Sequence, residues 1–419
     1  MSSAKDQPTK LPFVVFLLAL GTFLMCTTEF IVAGLLPEMS SDLGVSVAHA
    51  GLLITAFAVG MIVGSPTLAV ATLRLPRRST LVLALAVFAL GHVIAALSSS
   101  FAIVLAARVL TALVTGAFWA VASVVATTAA GPANSSRALG VMMSGVGLAT
   151  VVGVPLGSWV GQIVGWRGAF WALAVLSALS ALVIGRFVPA DEHRQAPSVR
   201  SELGALRTGR IWLLLLATAL ITGGYMAAFS YISPLLTERT GLPAGAVPLV
   251  LVGFGIGSLL GTNLGGRFGD RKPLAAFTTT AVAAGLVLLL LVPLSTSTLP
   301  TVILVVLLGM TGMAVPPIAT SLAVRFASSA PTLAAALAVS AFNAGIALGS
   351  WVAGSALDSS LGATGPALVG TILVAVGLIP LMALAATHAT RTDAAAEPHA
   401  GHGQDTPHET ETHHAALPS

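Results

Sequence analysis

Charge is what this chain has least of. Asp, Glu, Lys and Arg make up 8% of its 419 residues, against about 25% in a soluble domain. Cys26 is the single cysteine, so no intramolecular disulfide framework exists. None of the three lysines follows a glycine, and no H-E-x-x-H occurs. That excludes a Walker A loop, self-powered ATP transport and a zincin site. No enzyme, cofactor or metal centre is expected. The net charge of +4 does not speak for nucleic acid, because the basic residues fall between apolar runs.

What is abundant is apolar. The chain is 56% hydrophobic, more than a soluble fold of this size can hide. It reads as an all-α integral membrane protein in a lipid bilayer. A hydrocarbon core about 30 Å thick needs roughly 20 apolar residues per helix. Twelve runs qualify: 12–36, 47–72, 79–98, 101–130, 138–162, 168–188, 211–236, 245–268, 274–293, 300–324, 333–357 and 366–387. Lys5 and Lys10 precede the first run as in a signal peptide. The run is longer than the roughly 7–15 residues of a signal core.

With the N-terminus inside, sixteen of the 19 Lys and Arg residues fall in cytoplasmic segments. Arg167 and Arg239 are external, and Arg108 is intramembrane. This bias fixes the orientation under the positive-inside rule, with both termini cytoplasmic. The expected organisation is a cytoplasmic N-terminus (1–11), a six-helix half (12–188), a cytoplasmic linker (189–210), a second half (211–387) and a disordered tail (388–419). The tail carries His399, His402, His408, His413 and His414. Its irregular spacing reads as a solvated segment rather than a metal site.

The two halves repeat each other. FAVGMIVGS at 57–65 matches FGIGSLLGT at 254–262, and LGSWV occurs at 156–160 and 348–352. Gly116 and Gly312 are similarly placed. Parallel six-helix repeats mark secondary transporters, with sites at the repeat interface.

Glu29 lies inside the first span, in LGTFLMCTTEFIVAGLLPEM (20–39). A carboxylate there is costly and marks a functional site. Glu29, His92 and Arg108 lie at similar depth, about 10 Å below the outer face at 1.5 Å per residue. Glu29 shares a helix face with Thr22, Met25, Cys26 and Ala33; Arg108 shares one with Thr111, Thr115 and Trp119. Burial favours the neutral acid and a nearby Arg108 favours the carboxylate, a balance suited to loading and unloading a proton. A static ion pair that fixes packing is the competing reading. His92 reads as a hydrogen-bonded core residue. In the fifth span, Gly145, Gly147, Gly153, Gly157 and Gly161 permit close packing, and Pro155 bends the helix. A structural helix and a pivot are both compatible with that pattern.

GVPLG at 153–157 and LAARVLTALVTGA at 105–117 resemble the span-5 and span-4 motifs of the major facilitator superfamily, in its twelve-helix drug:proton antiporter group. TTEFIVAGLLPEM, AGLLITAFAVGMIVGSP, RLPRRSTLVLALAVFALGH and GWRGAFWAL are similar to its arabinose-efflux and chloramphenicol-exporter branch. The resemblance covers about residues 12–387. It implies twelve transmembrane helices in two pseudo-symmetric halves, in a bacterial cytoplasmic membrane. It also implies proton-driven export of small amphipathic drugs, with chloramphenicol-type compounds first, by a monomer powered by the proton gradient. Glu29 and Arg108 would couple the proton. Met25, Cys26, Trp119, Tyr225, Met226, Tyr231, Met313 and Asn343 would face the cargo. Gly145, Gly153, Pro155 and Gly157 would form the hinge. Arg74, Arg77, Arg78, Arg267, Asp270 and Arg271 would gate the loops, although loop 64–79 lacks the family's Asp and Gly266 replaces it in the repeat copy. Sugar or metabolite efflux is the alternative, weakened by scarce amides: Gln162, Asn263 and Asn343. A passive channel or sensor is a remote one.

Overall fold

The computed structural model describes residues 11–71, 75–131, 134–189, 209–327 and 331–396. No strand occurs among them. Among the described residues, twelve helical spans are long and apolar enough to cross a bilayer. They are α1 (Phe13–Leu43), α2 (Val47–Leu68), α3 (Arg77–Leu97), α4 (Phe101–Ala130), α5 (Arg137–Val164) and α6 (Trp166–Phe187), then α7 (Gly209–Ser230), α8 (Ala244–Gly269), α9 (Pro273–Leu294), α10 (Thr298–Phe326), α11 (Leu333–Leu357) and α12 (Gly362–Ala386). In lipid every backbone polar group must be satisfied within the segment, so helices are the form these runs can take. Leu182 (72% exposed) and Ile379 (66%) point outward, as a lipid-facing surface requires.

Three boundaries differ most from the sequence reading. The seventh span, expected to reach 236, breaks after Ser230 at Tyr231, with a π turn over Leu235–Arg239 beyond it. The first helix continues past residue 36 to Leu43, taking in Pro37 and Glu38, and ends where Gly44 enters the left-handed region (φ 65°) and donates to the Ser40 carbonyl. The last helix runs on to Ala396, into the stretch read as tail, because its Ala-rich sequence favours helix. Residues 397–419, with the five histidines from His399 to His414, lie outside the described residues, as do 1–10 and 190–208 of the linker.

The repeat is visible in the packing register. A Cβ at Gly60 would meet the Val109 carbonyl and one at Gly64 would meet Leu113. In the second half, one at Gly257 would meet the Val306 carbonyl and one at Gly261 would meet Met310. All four residues are displaced by 197, on both partner helices. The α1–α5 seam repeats likewise as α7–α11. Gly145 packs on Ala19, Thr22 and Phe23, and Gly345 packs on Ala219, Thr222 and Gly223. Without a hydrophobic drive between helices in lipid, such close backbone approach is what holds them together.

In α5 the backbone forms a π turn over Ala149–Gly153, immediately before Pro155. Proline donates no hydrogen bond to the preceding turn, and the wider turn accommodates that gap. From its last residue onward, Gly153, Gly157 and Gly161 seat Thr27, Ile31 and Leu35 of α1. Gly255 of α8 packs on the π turn itself, at Thr150 and Val151. The irregular stretch of α5 thus lies where the two halves meet.

The core is unequal from end to end. One apolar cluster spans both halves at the end holding the α1–α2 and α7–α8 connections, from Leu35 and Trp166 to Leu236, Val250 and Ala353. At the opposite, arginine-rich end each half has its own cluster, one around Leu85 and Phe118 and the other around Phe277 and Leu322. Among the described residues, four hydrogen bonds tie the halves at the shared end. Ser46 donates to Asp358 (3.4 Å), Thr55 pairs with Ser350 (2.7 Å), Gln162 donates to the Ala244 carbonyl (2.8 Å), and Tyr231 donates to the Ala48 carbonyl (3.4 Å).

Replacing Gly60 by Val drives a side chain into α4 and is expected to cost about 1–3 kcal/mol, read as a lower melting temperature in detergent. Gly266→Ala meets open space and is expected to leave the melting temperature unchanged or slightly raised.

Candidate functional site

Arg108 is buried (2% exposed) and is held by backbone rather than by a carboxylate. Its Nη1 donates to the Thr28 carbonyl (2.9 Å) and its Nε to the Leu53 carbonyl (3.3 Å). Its guanidinium carbon lies 4.3 Å from the Phe57 ring centroid, within cation–π reach. Nη2 is buried without a partner among the described residues. The fork therefore ties α4 to α1 and α2, a role that suits arginine's fixed geometry.

Thr28 is the junction of this network. Its carbonyl receives Arg108, and its hydroxyl pairs with His92 Nε2 at 2.8 Å. His92 Nδ1 lies 2.8 Å from the Phe88 carbonyl. A carbonyl only accepts, so Nδ1 carries the proton and Nε2 accepts from Thr28. The ring sits between Phe88 and Phe170, at centroid distances of 4.4 and 5.3 Å. His92 is thus a satisfied core histidine.

Glu29, one residue beyond Thr28, forms no ion pair with Arg108 among the described residues. Its side chain lines a cavity at the seam between the halves. Phe30, Ala33, Ile54, Phe57 and Ala58 line the first-half side; Met226, Phe229, Ser230, Asn343 and Ile346 line the other. The cavity volume is about 10 Å³, room for about one water. A drug-sized ligand needs roughly 300–1,000 Å³, so the halves must part to admit one. Phe229 supports the wall by stacking on Phe254 at 4.2 Å and meeting Phe30 edge-on at 6.2 Å.

Of the expected cargo contacts, the structure brings Met226 and Asn343 to this cavity beside Glu29. It places the others elsewhere. Met25 is buried in the first-half core, and Trp119 packs against the same cluster. Cys26 is also buried. The cavity covers about one turn of α1, so side chains a turn nearer the arginine-rich end fall into core. Tyr225 lies against Gly312 with its hydroxyl 3.9 Å from Met313 Sδ. Tyr231 reaches the Ser350 carbonyl (3.0 Å) and Ala48 and so belongs to the closed end. The aromatic walls Phe30, Phe57 and Phe229, and Ser230, were not anticipated. Phe57 opens the FAVGMIVGS stretch, read from the sequence as part of the internal repeat.

Among the expected gating residues, Arg77 donates to Thr128 at 3.4 Å. Arg78 is half-buried and Arg267 exposed. Arg74 and the side chains of Asp270 and Arg271 lie outside the described residues. At the other end Asp42 accepts from both Trp166 Nε1 (2.9 Å) and Arg167 Nη1, while Arg167 Nη2 donates to the Ser98 carbonyl (2.9 Å). This clamp gives the GWRGAFWAL stretch a structural use within the first half.

Arg108→Lys keeps the charge and loses the fork. It is expected to lower stability by about 1–3 kcal/mol, and Thr28→Val by about 1 kcal/mol, both read as melting temperatures.

Residues 18–330 match the Major Facilitator Superfamily. The chain is 38% identical over 376 residues to a chloramphenicol resistance protein of Streptomyces lividans, spanning 88% of this chain and 95% of that protein. It is 29% identical to the putative transporter AraJ of Escherichia coli K12, over 86% of this chain and 92% of that one. Among solved structures, a bacterial homologue of the human lysosomal transporter Spinster, in an inward-facing and occupied conformation, superposes with a TM-score of 0.68 at 16% identity, covering 91% of this chain and 96% of that one.

Proposed function

The chain belongs to the Major Facilitator Superfamily, and we propose that within it this protein exports small amphipathic drugs in exchange for protons, chloramphenicol-type compounds being the first candidate. The fold and family are those of a transporter, not an enzyme. The observation that carries the proposal is Glu29. It is a carboxylate facing the cavity between the halves, unpaired with the arginine beside it. Neither a static ion pair nor a passive pore calls for that arrangement.

The positive-inside bias makes the arginine-rich end cytoplasmic in this reading. The shared core and its four hydrogen bonds then close the external end, and the separate cores let the halves part toward the cytoplasm. Drug enters from that side against the walls of Phe30, Phe57 and Phe229. Rocking about the α1–α5–α8 seam, where the π turn lies, opens the other side. A proton taken up by Glu29 there weakens the site and releases the drug, and loss of that proton inside restores it. Arg108 stays on the carbonyl of Thr28, the residue next to Glu29 in the chain, and keeps a fixed positive charge near it throughout the cycle. One charge moving through about 100 mV supplies roughly 2.3 kcal/mol, equivalent to about a 50-fold gradient of a neutral drug. Apolar and aromatic walls suit such cargo better than a sugar. The chloramphenicol resistance relative supports the same choice.

In everted vesicles, wild type is expected to accumulate chloramphenicol and dissipate ΔpH together. Glu29→Gln is expected to bind the drug with proton coupling lost. If Glu29→Gln couples like wild type, Glu29 is structural and the proposal fails.

A further inference from the structure

Two side chains in the cavity have hydrogen-bonding capacity that no other described residue uses. Asn343 on α11 is 2% exposed and Ser230 at the end of α7 is 1% exposed, and both line the cavity. Asn343 Nδ2 donates to the Val339 carbonyl at 3.0 Å. That carbonyl only accepts, so the amide orientation is fixed and the free atom is the Oδ1 acceptor. Asn343 Oδ1 and Ser230 Oγ are both buried with no partner among the described residues. A buried acceptor without a donor is costly. Such an atom in an otherwise aromatic and aliphatic pocket needs an account.

We propose that Asn343 Oδ1 and Ser230 Oγ form an acceptor subsite that selects neutral ligands carrying a hydroxyl or amide N–H donor. The inference rests on the export reading above and narrows its cargo. Both acceptors come from the second half, across the cavity from Glu29. Glu29 and Arg108, the latter behind Phe57, sum to no net charge when the acid is ionised, so the ligand needs none. The cavity holds about one water at most. A ligand that displaces that water keeps affinity only where it brings donors of its own. Ser230 Oγ can also donate, but Asn343 Oδ1 can only accept, so a ligand without donors leaves it dry and is rejected, which is how a polar group in an apolar site discriminates. The work is divided between the halves. Asn343 and Ser230 decide which molecule is held, and Glu29 decides when it is released. Their substitution therefore shifts affinity without shifting proton coupling.

The test compares purified wild type and Asn343→Leu for binding of two probes. One is chloramphenicol. The other is its derivative with both hydroxyls and the amide nitrogen methylated. Wild type is expected to prefer the uncapped compound. Asn343→Leu is expected to lose about tenfold in affinity for it, the size of one well-made hydrogen bond, and to bind the capped one as wild type does. Equal losses for both probes, or no loss for either, overturn the subsite. If wild type binds neither probe, the drug reading falls and melting temperature in detergent decides the subsite. An Asn343→Leu variant as stable as wild type, or more so, sustains an acceptor kept for a ligand at the expense of stability. A drop of several degrees makes Asn343 a structural group and overturns it.

Discussion

The fold depends on how closely its helices can approach. In lipid, apolar side chains gain nothing by leaving their surroundings for each other, so association falls to contact between backbones. Glycine makes that contact possible, and the glycines that do so are paired across the molecule. Gly60 and Gly64 against α4 have counterparts in Gly257 and Gly261 against α10, and Gly145 against α1 has Gly345 against α7. Each half is therefore a tightly seated body. The same constraint explains the seam, where Gly255 packs on the π turn of α5 and Gly34 approaches Leu251.

Onto that frame the polar groups are fitted sparingly. Arg108 spends its donors on the carbonyls of Thr28 and Leu53, so a buried cation acts as a strut among three helices. His92 completes the same strut through the Thr28 hydroxyl. Holding those groups in place leaves Glu29 as the ionisable side chain that meets the cavity. A rigid positive neighbour and a carboxylate free to change state are complementary, since one sets the field in which the other responds.

Much of this was legible in the chain itself. Twelve apolar runs, the internal repeat and the isolated Glu29 and Arg108 follow from periodicity, spacing and the cost of charge in a bilayer. The cargo contacts were less so. Met25, Cys26 and Glu29 share a helix face, yet one turn separates core from cavity, and nothing in the local sequence says where the opposite half will end. Tyr231 lies within the seventh apolar run, 211–236, and was expected among the cargo contacts. Its hydroxyl instead closes one end of the bundle, through carbonyls 183 and 119 residues away along the chain.

The sequence by itself determined the solvent, the number of spans, the duplication and which two charges were out of place, because each is set by composition or by distance along one helix. Tertiary structure alone decided that Arg108 bonds to backbone rather than to Glu29, that the halves share a core at one end and not at the other, and that Asn343 and Ser230 face Glu29 across the seam. Those facts depend on the rotation and register of helices far apart in the chain, and packing between halves sets them where no local pattern can.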